Sequence, residues 1–271
     1  MTDAEKLLNE TFSRWLYSSS VIANFRSTFN AIAPTVNEHL EARISGLFQS
    51  LFEDPQWAGI LVDIETGRPA STKPTVEYGK LGKTGAQVIF DSSYASLDAA
   101  VLVFYHSLLD ALAFDCCRVT VLHAPRDWEQ DLKNTQVQLL ETQSKSYDQL
   151  LQAKLDERLE KLERESLLTK LDRLFARCNP PSGWSPMVGY AFHRERIRRF
   201  DDQRHEIVHG EALGRPLTLF QVSDENLFYL QQTGMYFMGL VNLKYHLQID
   251  PKNLSAAMQA RSGAAQARKH L

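Results

Sequence analysis

The stretch that decides the fold, DSSYASLDAAVLVFYHSLLDALAFDCCRVTV, covers residues 91–121. Apolar side chains recur in it every three or four residues, at Leu97, Val101, Phe104, Leu108 and Leu112. This spacing predicts an α-helix from about Tyr94 to Val121, with Asp91-Ser92-Ser93 as its N-cap. Because apolar residues also occupy its other sides, we expect this helix in the core of a bundle.

Helical spacing dominates on both sides of this segment. Residues 1–53 carry apolar residues at helical intervals, and Pro34 is expected to break the pattern. Downstream, the pattern predicts a long polar helix over about 128–178, which an interruption could divide. Two further helices are predicted at about 188–208 and 224–247. We therefore expect an all-α protein with additional N-terminal helices.

The segment between Pro55 and Phe90 differs in composition, because it holds five of the 13 glycines and three of the 10 prolines. Its apolar runs at 60–62 and 87–90 predict short strands, with a hairpin around 65–67. The tail after Pro251 is expected to be flexible. Four parts result: an N-terminal helical region 1–53, an irregular or hairpin insert 54–91, a helical bundle 92–247 and a flexible tail 248–271.

The overall composition excludes several classes of protein. With 271 residues, 44% of them hydrophobic, and a net charge of -3, the chain is globular, and contact with nucleic acid requires a local basic patch. The longest apolar stretch, between Asp98 and Asp110, has 11 uncharged residues, too few to cross a bilayer. The start carries no secretory signal. Three cysteines make no disulfide framework. We expect a cytoplasmic protein without membrane contact.

One segment is chemically dense: HRERIRRFDDQRHEIVHG, residues 193–210. It contains five of the 18 arginines and three of the eight histidines of the chain. Such an excess in a slightly acidic protein predicts a local site for an anionic partner.

The segment contains Arg204-x4-His209 on the last turns of a predicted helix. Chance alone gives roughly half of one Arg-x4-His in this composition, so the context matters more than the spacing. With His205 directly after the arginine, the motif resembles the signature of HEPN domains: Arg, a polar residue, three residues, then His. The resemblance covers roughly residues 92–247. It implies an all-α homodimer that cleaves RNA without a metal or other cofactor, leaves a 2′,3′-cyclic phosphate and acts in defence or as a toxin.

The residues suit that chemistry. Histidine titrates near pH 6.5 and can give or take a proton, while arginine grips phosphate. Arg204 is expected to hold the scissile phosphate, His209 to act as proton donor or acceptor, and His205 to bind or orient. Because five helical residues rotate by roughly 500°, Arg204 and His209 lie about 140° apart, and two copies of the motif would form a site more easily. Further candidates are Arg194, Arg196, Arg198 and Arg199 for the RNA backbone, and Asp110 and Asp202 as orienting groups.

His205-Glu206-x-x-His209 also matches the zinc-metalloprotease motif. Two histidines at i and i+4 share a helical face and can bind one zinc ion, with the glutamate as general base. Chance predicts about 0.015 such matches here, but the third ligand is missing from the usual pattern. Ala212 stands where the metzincin pattern has glycine, and Glu225 begins a new helix. A zinc hydrolase is therefore the enzymatic alternative.

A non-catalytic interpretation uses the same residues. His205 and His209 could complement the dipole at a helix C-terminus, with the arginines on a solvated face. The chain would then be a HEPN-like module that binds a nucleotide or a protein partner. Residues 1–90 would form its sensing part and could receive a regulatory ligand.

Overall fold

The computed structural model describes five stretches of the chain, residues 1–53, 78–132, 146–178, 190–209 and 224–250, together with residue 252. The elements within them are helical and include no strand, so the all-α prediction is confirmed. The helices are α1 Asp3–Glu53, α2 Tyr78–His123, α3 Tyr147–Glu163, α4 Leu167–Cys178, α5 Tyr190–Val208 and α6 Asp224–Tyr245, with a 3-10 helix at Pro125–Leu132.

The chain forms two compact units. The first unit consists of residues 1–23, 101–209 and 222–271, and the second of residues 24–100 and 210–221. Helices α1 and α2 each contribute residues to both units. The division between the two units therefore runs within these helices.

In the first unit, α1 runs antiparallel to α6. The Asn9 side-chain amide donates to the Gln248 carbonyl over 2.9 Å. Nearer the middle of both helices, Gly234 lies so close to the Trp15 indole that a Cβ atom would overlap the ring. Glycine is required there by close packing, although it lowers helix propensity.

The core of the first unit takes a different face of α2 from the one predicted. Val101 and Leu112 are buried as expected, but Phe104 is 64% exposed. The buried stripe contains Leu102, Tyr105, Leu109, Leu112 and Cys116. Because α2 is apolar on nearly every side, periodicity predicted the helix but not the face that packs.

A buried charge ties α4 to α2. The Lys170 side chain is 1% exposed, and its ammonium donates to both carboxylate oxygens of Asp110, over 2.7 and 2.8 Å. Asp110 itself keeps 35% of its side chain exposed. An ammonium in such a site depends on its partner, because removing the partner leaves an uncompensated buried charge.

In the second unit, the predicted strand at 87–90 is wrong, because these residues lie within α2. Asp91-Ser92-Ser93 likewise lies inside α2 and does not cap its start. Gly82 explains the difference: a Cβ atom at this position would overlap Ser45 on α1. The glycine thus permits a close helix crossing instead of a turn. The strand and hairpin predicted at 60–62 and 65–67 lie outside the described residues.

Pro34 does not end α1, contrary to prediction. Contacts between α1 and α2 on both sides of the proline stabilise the continuous helix. On one side, the Arg26 guanidinium and the Asp98 carboxylate form a buried ion pair at 3.0 Å. On the other side lies the close approach of Ser45 and Gly82. Proline removes one backbone hydrogen bond, and these contacts offset that loss.

The long helix predicted over 128–178 is interrupted. Residues up to Leu132 form the 3-10 helix, and residues 133–145 lie outside the described part. Ser146 and Gln149 form a capping box that begins α3. The Ser166 hydroxyl accepts from the Thr169 amide over 3.3 Å and caps α4. Short polar caps therefore decide where these helices begin.

Among the described residues, one helical stretch, Gly82–His123 in α2, is long and apolar enough to cross a membrane by length and composition. Half of its most apolar window is buried inside the protein. The stretch also contains the buried acids Asp98 and Asp115. The core helix of a soluble protein meets the same criteria, so this stretch is weak evidence for membrane insertion.

Candidate nucleic-acid interface

Helix α5 carries the predicted motif and is anchored in the first unit by one buried face. His193, Ile197 and Phe200 are its buried residues. The His193 ring stacks on Tyr236 of α6 with the centroids 4.5 Å apart, and its Nδ1 lies 2.8 Å from the Thr233 hydroxyl. This contact fixes the direction in which the rest of α5 projects.

Burial of His193, together with the nearby Arg196 charge, lowers its pKa to about 4. In the unfolded chain a histidine titrates near pH 6.5, so below that pH the unfolded state binds the extra proton. The contribution of His193 to the free energy of unfolding should therefore be fully present above pH 6.5. It should fall by on the order of 2–3 kcal/mol as the pH drops from 6.5 to 4. Denaturant unfolding at several pH values measures this.

The control for this prediction is His193→Gln, which keeps a polar side chain beside Thr233 but cannot titrate. Its free energy of unfolding should vary less than that of the parent between pH 6.5 and 4. Parallel pH curves for the two proteins would contradict the role assigned to His193.

Two of the four arginines predicted to contact RNA are engaged within the protein. The Arg194 guanidinium makes two hydrogen bonds to the Asp172 carboxylate, over 2.8 and 3.1 Å, and Tyr190 donates to the same carboxylate. The Arg196 guanidinium lies 3.4 Å from the ring centroid of Tyr229. These contacts help to fix α5 against its neighbours, so both arginines are less available to a ligand than predicted.

The other two arginines face outward. The side chains of Arg198 and Arg199 are 59% and 76% exposed. Each forms an ion pair with Glu195, at 3.9 and 3.2 Å. Exposed ion pairs of this kind contribute little stability, so a phosphate group can replace Glu195 as the partner. Both guanidinium groups can therefore bind a phosphate backbone.

The motif residues lie together at the C-terminal end of α5. His205 and His209 are exposed, their ring centroids are 4.2 Å apart, and Arg204 is half-buried. The His209 amide still donates to the His205 carbonyl over 3.0 Å, so the helical geometry extends through the motif. Within the described part of the chain, none of these three side chains has a hydrogen-bond or ion-pair partner. Their polar groups can therefore meet a ligand.

Sequence reasoning missed an acid beside the motif. The carboxylate of Asp201, one turn before Arg204, lies 2.7 Å from Nε2 of His106, which is buried on α2. His106 lies in the core with this charged partner. The two residues are 95 positions apart, and no local pattern pairs them.

The two acids predicted to orient the motif differ in position. Asp110 accepts both described hydrogen bonds from Lys170 of α4 and not from Arg204 or a histidine. Asp202 is exposed on α5, two residues before Arg204. The acid that contacts the core beside the motif is Asp201, which precedes Asp202 in the chain.

Among the residues that the structure describes, no cluster of three or more His, Cys, Asp or Glu side chains is suitable for a metal ion. Ala212 and the Glu225 side chain, which bear on the zinc alternative, lie outside the described part. All three cysteines are free and buried, and burial raises the pKa of each thiol.

Comparison of the chain with protein-family models, with curated proteins and with solved structures finds no match.

Proposed function

We propose that the protein is a metal-independent endoribonuclease of the HEPN type that acts as a cytoplasmic homodimer. The observation that carries this proposal is the grouping of Arg204, His205 and His209 at one end of α5, with no described hydrogen-bond or ion-pair partner for any of the three side chains. Two exposed arginines on the same helix add positive charge for an RNA backbone.

The proposed reaction is an intramolecular displacement. A histidine removes the proton of a ribose 2′-OH, and the 2′-oxygen attacks the adjacent phosphorus. The phosphorus bond to the 5′-oxygen breaks, and a second acid-base group protonates that oxygen. Arg204 holds the phosphate and stabilises the charge of the phosphorane. The products are a 2′,3′-cyclic phosphate and a 5′-OH end.

A second copy of the chain completes the site in this proposal. Arg204 and His209 point about 140° apart around one helix, so a two-fold axis would bring one residue from each copy together. Exposed apolar residues in the first unit suit such an interface: Phe104 is 64% and Val208 is 49% exposed.

The proposal is tested by incubating the full-length protein with single-stranded RNA of mixed sequence in excess EDTA. We expect cleavage with cyclic phosphate ends. EDTA separates this reaction from that of a zinc hydrolase, which would lose activity. If the purified protein contains about one zinc per chain and EDTA stops the reaction, the zinc alternative is correct.

The dimer gives its own prediction. Phe104→Glu should convert the dimer to a monomer and lower cleavage, because the charge would be buried at the interface. Phe104→Leu, which keeps the surface apolar, is the matched control and should remain dimeric. Size-exclusion chromatography with light scattering measures the mass. A parent protein that is monomeric while fully active would disprove the two-copy site.

A binding module without catalysis is the second candidate. The position of His205 and His209 at the C-terminal end of α5 favours it, since histidines there complement the helix dipole without a catalytic role. The engagement of Arg194 by Asp172 and of Arg196 by Tyr229 also leaves fewer cations for a long RNA backbone. Saturable RNA or nucleotide binding without product formation would support this alternative.

A further inference from the structure

The second unit contains a groove of about 260 Å³ between α1 and α2. Its lining includes Asn30, Pro34 and Asn37 from α1 and Gln87, Phe90 and Tyr94 from α2. None of the described residues that line it is charged. A groove of this size and composition suits a neutral, planar group and not a phosphate.

Two acceptors at this groove lack their usual donors. The Oδ1 atom of Asn37 is buried and has no hydrogen-bond partner among the described residues. Pro34 has no amide hydrogen, so the Asn30 carbonyl loses the donor that a helix normally supplies four residues later. Acceptors left in this state cost free energy, and a ligand that brings N–H donors would recover it.

Aromatic side chains form a wall beside these acceptors. Tyr94 donates from its hydroxyl to Asn30 Oδ1 over 2.5 Å, which fixes both side chains. The Phe90 and Tyr94 ring centroids are 6.0 Å apart. The Gln87 amide is held by donation to the Asp91 carboxylate over 2.7 Å. Aromatic rings stack on the face of a base, and side-chain amides form hydrogen bonds with its edge. The groove offers both kinds of group side by side.

We propose that this groove binds a nucleobase that carries an exocyclic amino group. The base stacks against the aromatic wall, and its N–H donors supply the acceptors at Asn30 and Asn37. The base comes from a free nucleoside or from an unpaired position in RNA. The inference goes beyond the proposed cleavage reaction and does not require it.

The first experiment titrates the full-length protein with adenosine and with purine riboside, which lacks the amino group, using ligand-detected NMR. For a ligand of this size in an open groove, we expect a Kd of roughly 0.1–1 mM for adenosine. Loss of the amino group should weaken binding by about three- to tenfold. Equal affinities, or no binding of adenosine at about 10 mM, would overturn the proposal.

Three variants test the acceptors. Asn37→Leu should weaken adenosine binding by about three- to tenfold, whereas Asn37→Asp keeps the acceptor and should bind. Pro34→Ala restores the amide donor to the Asn30 carbonyl, so it should weaken binding while raising the melting temperature. A merely structural role for Pro34 would leave adenosine binding unchanged, and that result would count against the groove.

Two controls separate the sources and the functions. A short oligoadenylate that binds more tightly than adenosine assigns the base to RNA, and equal affinity assigns it to a free nucleoside. Arg204→Ala, far along the chain in the first unit, should bind adenosine as the parent does. Retained binding in a protein that cannot cleave RNA would show that the groove acts independently of the motif, and lost binding would refute the separate site.

Discussion

Arg204→Ala is expected to lower RNA cleavage by about 100- to 1,000-fold, because the phosphorane would lose the cation that stabilises its charge. His209→Ala should lower it by about 100- to 10,000-fold through the loss of proton transfer. Initial rates measured with a 5′-labelled RNA in EDTA give both values. The melting temperature of each variant should stay near that of the parent, because neither side chain has a hydrogen-bond or ion-pair partner among the described residues.

Arg199→Ala is the matched control for these variants. Arg199 lies on the same helix, is 76% exposed and forms an ion pair with Glu195. Loss of the Arg199 side chain should weaken RNA binding and slightly reduce the salt dependence of that binding. The rate of the chemical step should not change. If His209→Ala cleaves RNA as fast as the parent, His209 has no catalytic role, and another residue must carry out the proton transfer.

The largest expected effect on stability comes from Asp110. Asp110→Ala leaves the Lys170 ammonium buried without its carboxylate, which should lower the free energy of unfolding by about 3 kcal/mol. Lys170→Met should cost less, since the remaining Asp110 carboxylate is 35% exposed and can be hydrated. Denaturant unfolding monitored by circular dichroism measures both variants.

The double variant completes this comparison. Asp110→Ala combined with Lys170→Met should be more stable than Asp110→Ala alone, because the uncompensated charge is gone. If the free energy of unfolding lost in the double variant equals the sum of the two single losses, Asp110 and Lys170 contribute independently to stability. In that case the cost of Asp110→Ala would lie in packing alone.

Local patterns predicted where the helices lie better than how they pack. The helices predicted at 188–208 and 224–247 match α5 and α6 within two residues at each end. Their boundaries follow from apolar spacing and from flanking Gly and Pro. The face of α2 could not be predicted, because a helix that is apolar all round offers several equivalent stripes, and Phe104 lies on an exposed one.

The structural roles of Gly82 and Pro34 also could not be predicted, because both depend on contacts between helices that are distant in the chain. Gly82 belongs to the glycine-rich segment for which an irregular insert is predicted, yet it permits a close helix crossing at Ser45, a contact that depends on a partner far away in the chain. Pro34 looked like a helix end, yet contacts on both sides keep α1 continuous. The motif could be found from sequence because its residues are local. The Asp201–His106 pair could not, since it joins α5 to α2.

The pairing of the first and last helices has a consequence for how the protein is made. Asn9 contacts Gln248 across 239 positions of the chain, and Trp15 packs on Gly234. On the ribosome, α1 therefore emerges long before α6, and α5 emerges before the helix that covers His193. The motif on α5 is therefore translated before α6 is present to pack against it. The proposed nuclease activity would begin only after α6 has been synthesised. The order of synthesis would thus delay the proposed cleavage until α6 has packed on α1 and α5.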